Sequence, residues 1–233
     1  MSILPIELRC KLKKTIIEAR DIAESGAKAA LETLAVQHYE PYDHMTPDQR
    51  QLRNHLRARA RQLGDKQEKS GKLEITHLVW ECAYEHWHRM LFVRFLPDND
   101  LLIEPEMGVA VSLEECEELA TEDGTDLWSL ASSFAQQMLP KIFRPGNPVL
   151  QVTFAREYQG KLEQLLDDLQ PEIFKASDAL GWVYQFWQKK RKEQVNKSGK
   201  KIGADELPAV TQLFTEPYMV HFLIHNTLGA WYA

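Results

Sequence analysis

The chain has 233 residues, of which 44% are apolar and 27% charged, and its 28 Lys and Arg against 34 Asp and Glu give a net charge of −6. These ordinary values exclude wholesale disorder, a collagen-like fibre and a disulfide-rich scaffold. A chain of this length can bury about 70% of its unfolded surface in one or two domains, without disulfides or metals. No run of 18 apolar residues could span a membrane, and the N-terminus is too charged for a signal peptide. The scattered Cys10, Cys82 and Cys116 do not suggest a zinc site, so we expect a cytoplasmic protein with no bound metal and no membrane contact.

The hydrophobic pattern predicts a mainly α-helical protein, a helical bundle in which short strands are possible only near 101–111 and 148–154. A first helix is expected over about 6–36, because helix formers fill this stretch and no proline interrupts it. A second helix begins at Thr46, since Thr-Pro-Asp-Gln supplies an N-cap, a proline at the first helical position and a capping-box Gln49. Gly64 is placed to end it.

The most apolar helix is predicted over 73–96, and Pro97 stops it. Its wide apolar face is typical of a central bundle helix and places Trp80, Trp87 and Phe95 in the core. Arg94 falls on the apolar side, where an unpaired charge is costly, so it needs a carboxylate or a phosphate as partner.

Further helices follow a capping box at Ser112 and are expected over 125–139, 156–169 and 178–196, with a last one from Thr215 to the chain end. Leu180, Val183 and Trp187 share a stripe of the 178–196 helix and are expected to join the core.

Charge is unevenly distributed along the chain. The stretch from Pro97 to Pro140 has no Lys, Arg or His and contains eleven carboxylates between Asp98 and Asp126. Two basic groups are candidate DNA-binding residues: Arg50, Arg53, Arg57 and Arg61 on one stripe of the second helix, and Lys189, Lys190 and Lys192 near the end of the 178–196 helix. The alternative is that these cations pair with the acidic stretch of the same chain.

The chain contains no G-x-G phosphate loop, no G-x-S-x-G elbow and no H-E-x-x-H. His77, Glu81 and Glu85 share one helix face and could hold a metal, but a solvated polar face explains the same spacing. We therefore expect no catalytic residues.

The last third of the chain resembles a known family. Residues 178–187 read DALGWVYQFW, residues 211–215 read TQLFT, and residues 226–229 read NTLG; the helix with Ala83-Tyr84, Trp87, Arg89 and Arg94-Phe95 is also similar. These segments resemble the N-terminal region of large adenine-specific DNA methyltransferases, namely single-chain type IIG restriction–modification enzymes and the PglX methyltransferases of BREX phage-defence systems. The resemblance covers about residue 75 to the end and is most specific from Leu180 to Gly229.

The resemblance implies where a cofactor would bind. In this family the segment similar to 211–215 closes over S-adenosylmethionine, so Gln212, Phe214 and Thr215 are the expected cofactor-binding residues. Here Glu216 replaces the proline that usually follows the Thr, and Thr215 could instead serve only as an N-cap. The glycine-rich cofactor motif and the (N/D)PP(Y/F) tetrapeptide are absent, so the chain alone is expected neither to bind the cofactor nor to methylate.

The sequence therefore predicts a helical N-terminal region over 1–210 and the truncated first segment of a methyltransferase domain over 211–233. The complete enzyme would methylate N6 of adenine in DNA, and its partners would be DNA and the missing catalytic domain or a split subunit. An excised fragment, a split-gene subunit and the remnant of an interrupted gene all remain open. The alternative is a free-standing helical adaptor that binds another protein through exposed aromatic residues such as Trp231 and Tyr232.

Overall fold

The computed structural model describes residues 3–144, 146–199, 203, 207–211, 215 and 217–232. Within these residues the regular structure is helical, which confirms the predicted mainly α fold. The longer helices are α1 (Ile6–Thr33), α2 (Pro47–Gln62), α3 (Thr76–Asp98), α4 (Leu113–Glu122), α5 (Leu127–Met138), α7 (Arg156–Asp167) and α9 (Ala179–Ser198). Short helices are α6 (Pro140–Phe143), α8 (Pro171–Lys175), α10 (Leu207–Thr211) and α11 (Pro217–Ile224), the last continuing through a π-turn (His225–Gly229) into α12 (Ala230–Tyr232).

Neither 101–111 nor 148–154, for which the sequence allowed a short strand, forms one in the part of the chain that the structure describes. A single antiparallel bridge joins Ile103 to Ala110. Residues Pro148–Gln151 instead form one turn of 3-10 helix, because the Asn147 side chain accepts a hydrogen bond from the Val149 amide (3.1 Å). Short apolar runs do not distinguish a strand from such a turn.

The chain divides into two compact units. Unit 1 comprises Met1–Ile17 and Gln170–Ala233, and unit 2 comprises Glu18–Leu169. The N-terminal part of α1 thus belongs with the C-terminal third of the chain. The boundary predicted between residues 210 and 211 stays a prediction.

Helix starts follow the sequence signals, but Pro97 does not stop α3 as predicted, since the helix runs on to Asp98. The Thr46 hydroxyl accepts a hydrogen bond from the Gln49 amide (3.3 Å), and the Gln49 side chain accepts one from the Thr46 amide (3.0 Å). The same capping box forms between Ser112 and Glu115. Gly64, with φ of 95°, follows α2 in a conformation that other residues adopt only at a cost.

Half of the core predicted from the sequence is correct. Trp87 of unit 2 and Val183 and Trp187 of unit 1 are buried, whereas three other predicted core residues, Trp80, Phe95 and Leu180, are only half-buried. Arg94 has the expected carboxylate partner, since its Nε lies 3.0 Å from Asp98 Oδ2 and both side chains are 12% exposed. None of the described helices is both long and apolar enough to cross a membrane.

Candidate nucleic-acid interface

The arginines of α2 mostly bind the protein's own backbone. Arg53 donates from Nε to the Ala35 carbonyl (2.9 Å) and from Nη2 to the Tyr39 carbonyl (2.8 Å). Arg57 donates from Nη1 to the Val36 carbonyl (2.6 Å) and from Nη2 to the Gly71 carbonyl (3.2 Å), and both arginines also reach the His38 carbonyl. Arg53 and Arg57 are 4% and 6% exposed, and burial lowers the pKa of both.

The expected ladder of four phosphate donors is therefore not formed. Arg53 and Arg57 fasten the turn after α1, where Ala35 has a φ of 50°, and have little surface left for an outside anion. Arg50 is exposed but donates to the Met45 and Asp43 carbonyls (both 3.1 Å), and Arg61 is exposed. DNA contact by Arg50 or Arg61 stays a prediction.

Among the contacts that the structure describes, no carboxylate of the acidic stretch 98–126 pairs with an arginine of α2. The carboxylate that binds α2 belongs to α3: Arg59 Nε lies 2.9 Å from Glu81 Oε2. Glu85, one turn further along α3, pairs with Arg144. Glu81 and Glu85 side chains are 17% and 13% exposed, so the solvated polar face considered for His77, Glu81 and Glu85 is wrong for these two carboxylates. Among the described residues, no cluster of three or more metal-ligating side chains is found.

The second basic group lies on the exposed C-terminal half of α9. Lys189 and Lys190 are exposed and Lys192 is half-buried. Lys189 lies 3.6 Å from Glu193, an exposed pair one turn apart that contributes little to stability. Gly199, in the left-handed conformation with φ of 63°, ends the helix.

A third basic group, which the sequence analysis did not single out, lies on the same unit. The N-terminal part of α1 carries Lys11, Lys13 and Lys14, with Lys11 and Lys14 exposed and Lys13 half-buried. Two contacts join the start of the chain to α9: the Leu4 amide donates to Asp178 Oδ1 (2.9 Å), and the Arg9 guanidinium lies 4.6 Å from the centroid of the Trp182 ring. The segment ELRCKLKK was the available signal, but nothing in it indicated packing against a helix 170 residues later.

A polar cleft in unit 2 was also not predicted. It has a volume of about 980 Å³ between α3, α5 and α7. His86 Nε2 and Gln159 Oε1 are 2.6 Å apart at its wall, and Gln159 Nε2 donates to Glu163 Oε1 (2.7 Å). Burial lowers the pKa of His86 to about 4, so its ring is neutral, and Nε2 is the donor because Gln159 Oε1 can only accept. The ring also stacks on Phe154, with centroids 3.9 Å apart.

The expected cofactor residues are hardly described by the structure. Gln212 and Phe214 lie outside the described residues, and Thr215 is exposed. Beyond them, the C-terminal helix (217–232) carries exposed apolar side chains along its length. Those at least 39% exposed are Tyr218, Met219, Val220, Phe222, Leu223, Ile224, Leu228, Trp231 and Tyr232.

Comparison with known proteins points to one class, the adenine-specific methyltransferases. The chain is 28% identical over 221 residues to the adenine-specific methyltransferase PglX of Lacticaseibacillus casei (strain Zhang), covering 77% of this chain. It is 37% identical over 68 residues to the adenine-specific methyltransferase BrxX of Escherichia coli O9:H4 (strain HS), covering 29% of this chain. These similarities confirm the resemblance seen in the sequence.

The match spans only part of each relative, 18% of the length of PglX and 6% of that of BrxX. No family model matches the chain, and no solved structure matches it.

Proposed function

We propose that this chain is the non-catalytic N-terminal part of a site-specific, S-adenosylmethionine-dependent DNA N6-adenine methyltransferase of a phage-defence system. Its similarity to PglX and BrxX supports the class of enzyme. The absence of a glycine-rich cofactor motif and of an (N/D)PP(Y/F) tetrapeptide from the sequence supports a non-catalytic role.

The observation that carries the proposal is the exposed C-terminal helix (217–232). Fully burying one large apolar side chain gains about 1.5–3 kcal/mol, and contiguous apolar patches of this kind mark protein-interaction sites. Phe222 and Trp231 are 65% and 80% exposed, so this gain is not realised within the described part of the chain. We assign the helix to docking against the methyltransferase domain.

The same docking would complete the cofactor site. Gln212, Phe214 and Thr215 precede the C-terminal helix and would form one lip of the S-adenosylmethionine pocket, while the glycine loop comes from the catalytic domain. A helix N-terminus offers free N–H groups to the cofactor carboxylate. The isolated chain then has half a site and binds no cofactor.

The nucleotide sequence downstream of codon 233 gives a first test. We expect a glycine-rich motif and an (N/D)PP(Y/F) tetrapeptide, in the same frame or in the next gene. A neighbourhood without either motif would contradict the proposal and favour the free-standing adaptor.

The second test is biochemical. This chain is co-expressed, as a separate polypeptide, with one that carries the methyltransferase motifs, and transfer of tritiated methyl groups to duplex DNA is measured. We expect methylation to need both polypeptides and to be lost with Phe222→Ser/Trp231→Ser. The matched control is Met107→Ser/Val109→Ser, which alters two exposed apolar residues of unit 2. Equal methylation without the chain would refute the proposal, and co-purification with a polypeptide that has no methyltransferase motif would identify an adaptor.

A further inference from the structure

We propose that the lysines of α1 and α9 form one binding surface for the phosphate backbone of duplex DNA, which we call the α1–α9 surface. It comprises Lys11, Lys13 and Lys14 of α1 and Lys189, Lys190 and Lys192 of α9, all in unit 1. The inference rests on the proposed function for the identity of the polyanion, and it deepens that function by assigning DNA contact to unit 1, whereas Arg53 and Arg57 of α2 bind backbone carbonyls.

The contacts between the start of the chain and the start of α9 place the lysines of α1 and α9 at comparable distances along their helices. Leu4 meets Asp178 and Arg9 meets Trp182, so both segments run in the same direction here. At 1.5 Å per helical residue, Lys13 and Lys14 lie about 6–8 Å beyond Arg9, and Lys189 and Lys190 lie about 11–12 Å beyond Trp182. Counted along each helix from these contacts, the two groups differ by roughly one helical turn, and a DNA strand with a phosphate about every 3.4 Å offers more than one phosphate over that length.

The folding of the chain into two units also separates charge. Unit 1 has 12 Lys and Arg against 7 Asp and Glu, a net charge of +5, whereas unit 2 has 16 against 27, a net charge of −11. At physiological ionic strength charges act over about 8 Å, so DNA responds to the local surface and not to the net charge of −6. DNA is attracted to unit 1 and repelled by most of unit 2.

The cations of unit 2 largely bind groups of the protein itself. Arg53 and Arg57 bind backbone carbonyls, while Arg59 and Arg144 pair with carboxylates of α3. In the α1–α9 surface, Lys189 forms an exposed pair with Glu193, which an approaching phosphate can displace.

The test uses the full 233-residue chain and a fluorescein-labelled 20-bp duplex of random sequence, with binding followed by anisotropy at several salt concentrations. Lys13→Gln/Lys14→Gln and Lys189→Gln/Lys192→Gln each remove two charges from the surface. Lys69→Gln/Lys72→Gln is the matched control, because it removes two exposed lysines from unit 2.

We expect each surface variant to reduce the slope of log affinity against log salt by about 1.8, that is ~0.9 per phosphate contact, and the control to change it little. Combining the two surface pairs should lower the slope by about 3.6. No binding by the unaltered chain, no effect of the α1 pair, or an equal effect of the control would overturn the α1–α9 surface. The assay involves no methyl transfer, so this proposal can fail while the methyltransferase assignment stands, and the reverse.

Discussion

Replacing Arg57 by Met tests whether the basic stripe of α2 is structural. Methionine replaces the apolar stem of arginine with an unbranched chain that reaches about as far as Nε, and it removes every hydrogen-bond donor. The change leaves the Val36 carbonyl without its guanidinium donor (2.6 Å in the structure). The other two carbonyls are less affected, because the His38 carbonyl keeps Arg53 and the Gly71 carbonyl keeps the Gln67 amide (3.3 Å).

The expected loss in the free energy of unfolding follows from these contacts. A hydrogen bond from a charged group contributes about 1.5–3 kcal/mol, and the two shared carbonyls add a smaller loss. Removing the charge recovers part of its desolvation penalty, the main cause of the lowered pKa of Arg57. We expect the free energy of unfolding to fall by about 2–3 kcal/mol, a large fraction of the 5–15 kcal/mol typical of a domain.

Urea unfolding followed by tryptophan fluorescence measures this loss, with Arg61→Met as the matched control from the same stripe. Arg61 is exposed, and its replacement should change the free energy of unfolding by no more than about 0.5 kcal/mol. If Arg57→Met were as mild as Arg61→Met, the guanidinium of Arg57 would not be bound to the backbone. The α2 stripe would then be available to phosphates after all.

Three more outcomes are expected. The half-buried His86 has a pKa of about 4, lowered by desolvation, against about 6.5 in the unfolded chain, so the unfolded state takes up a proton first. The free energy of unfolding should therefore fall by ~3 kcal/mol as the pH drops from 7 to 4, and His86→Gln should remove this pH dependence in urea titrations at the two pH values. The exposed apolar side chains of the C-terminal helix should make the isolated chain self-associate as its concentration rises, and deleting Tyr218–Ala233 should restore a monomer with a nearly unchanged thermal midpoint. Sedimentation showing a monomeric full chain, and a trimmed chain that unfolds, would contradict this. Calorimetry should detect no S-adenosylmethionine binding by the chain alone, and micromolar binding would refute the half-site.

The sequence determined much of the local structure of this protein. Capping boxes at Thr46 and Ser112 mark helix starts because side chain and backbone hydrogen bonds close within four residues. The apolar periodicity of α3 and α9 placed Trp87 and Trp187 in the core, and the cost of burying an unpaired Arg94 predicted its carboxylate partner. The residues around 180–229 also determined the family resemblance.

Only the tertiary structure decided which arginines and lysines remain able to contact a phosphate. Arg53 and Arg61 occupy the same sequence stripe, yet one is buried against carbonyls of the turn after α1 and the other faces solvent. Lys14 and Lys189 are 175 positions apart in the sequence and belong to one basic unit because the start of the chain, including Arg9 of α1, contacts the start of α9. Helix periodicity determines which side of a helix a residue occupies, but long-range packing determines what that side contacts. This packing decides whether an arginine stabilises the fold or remains able to bind a phosphate.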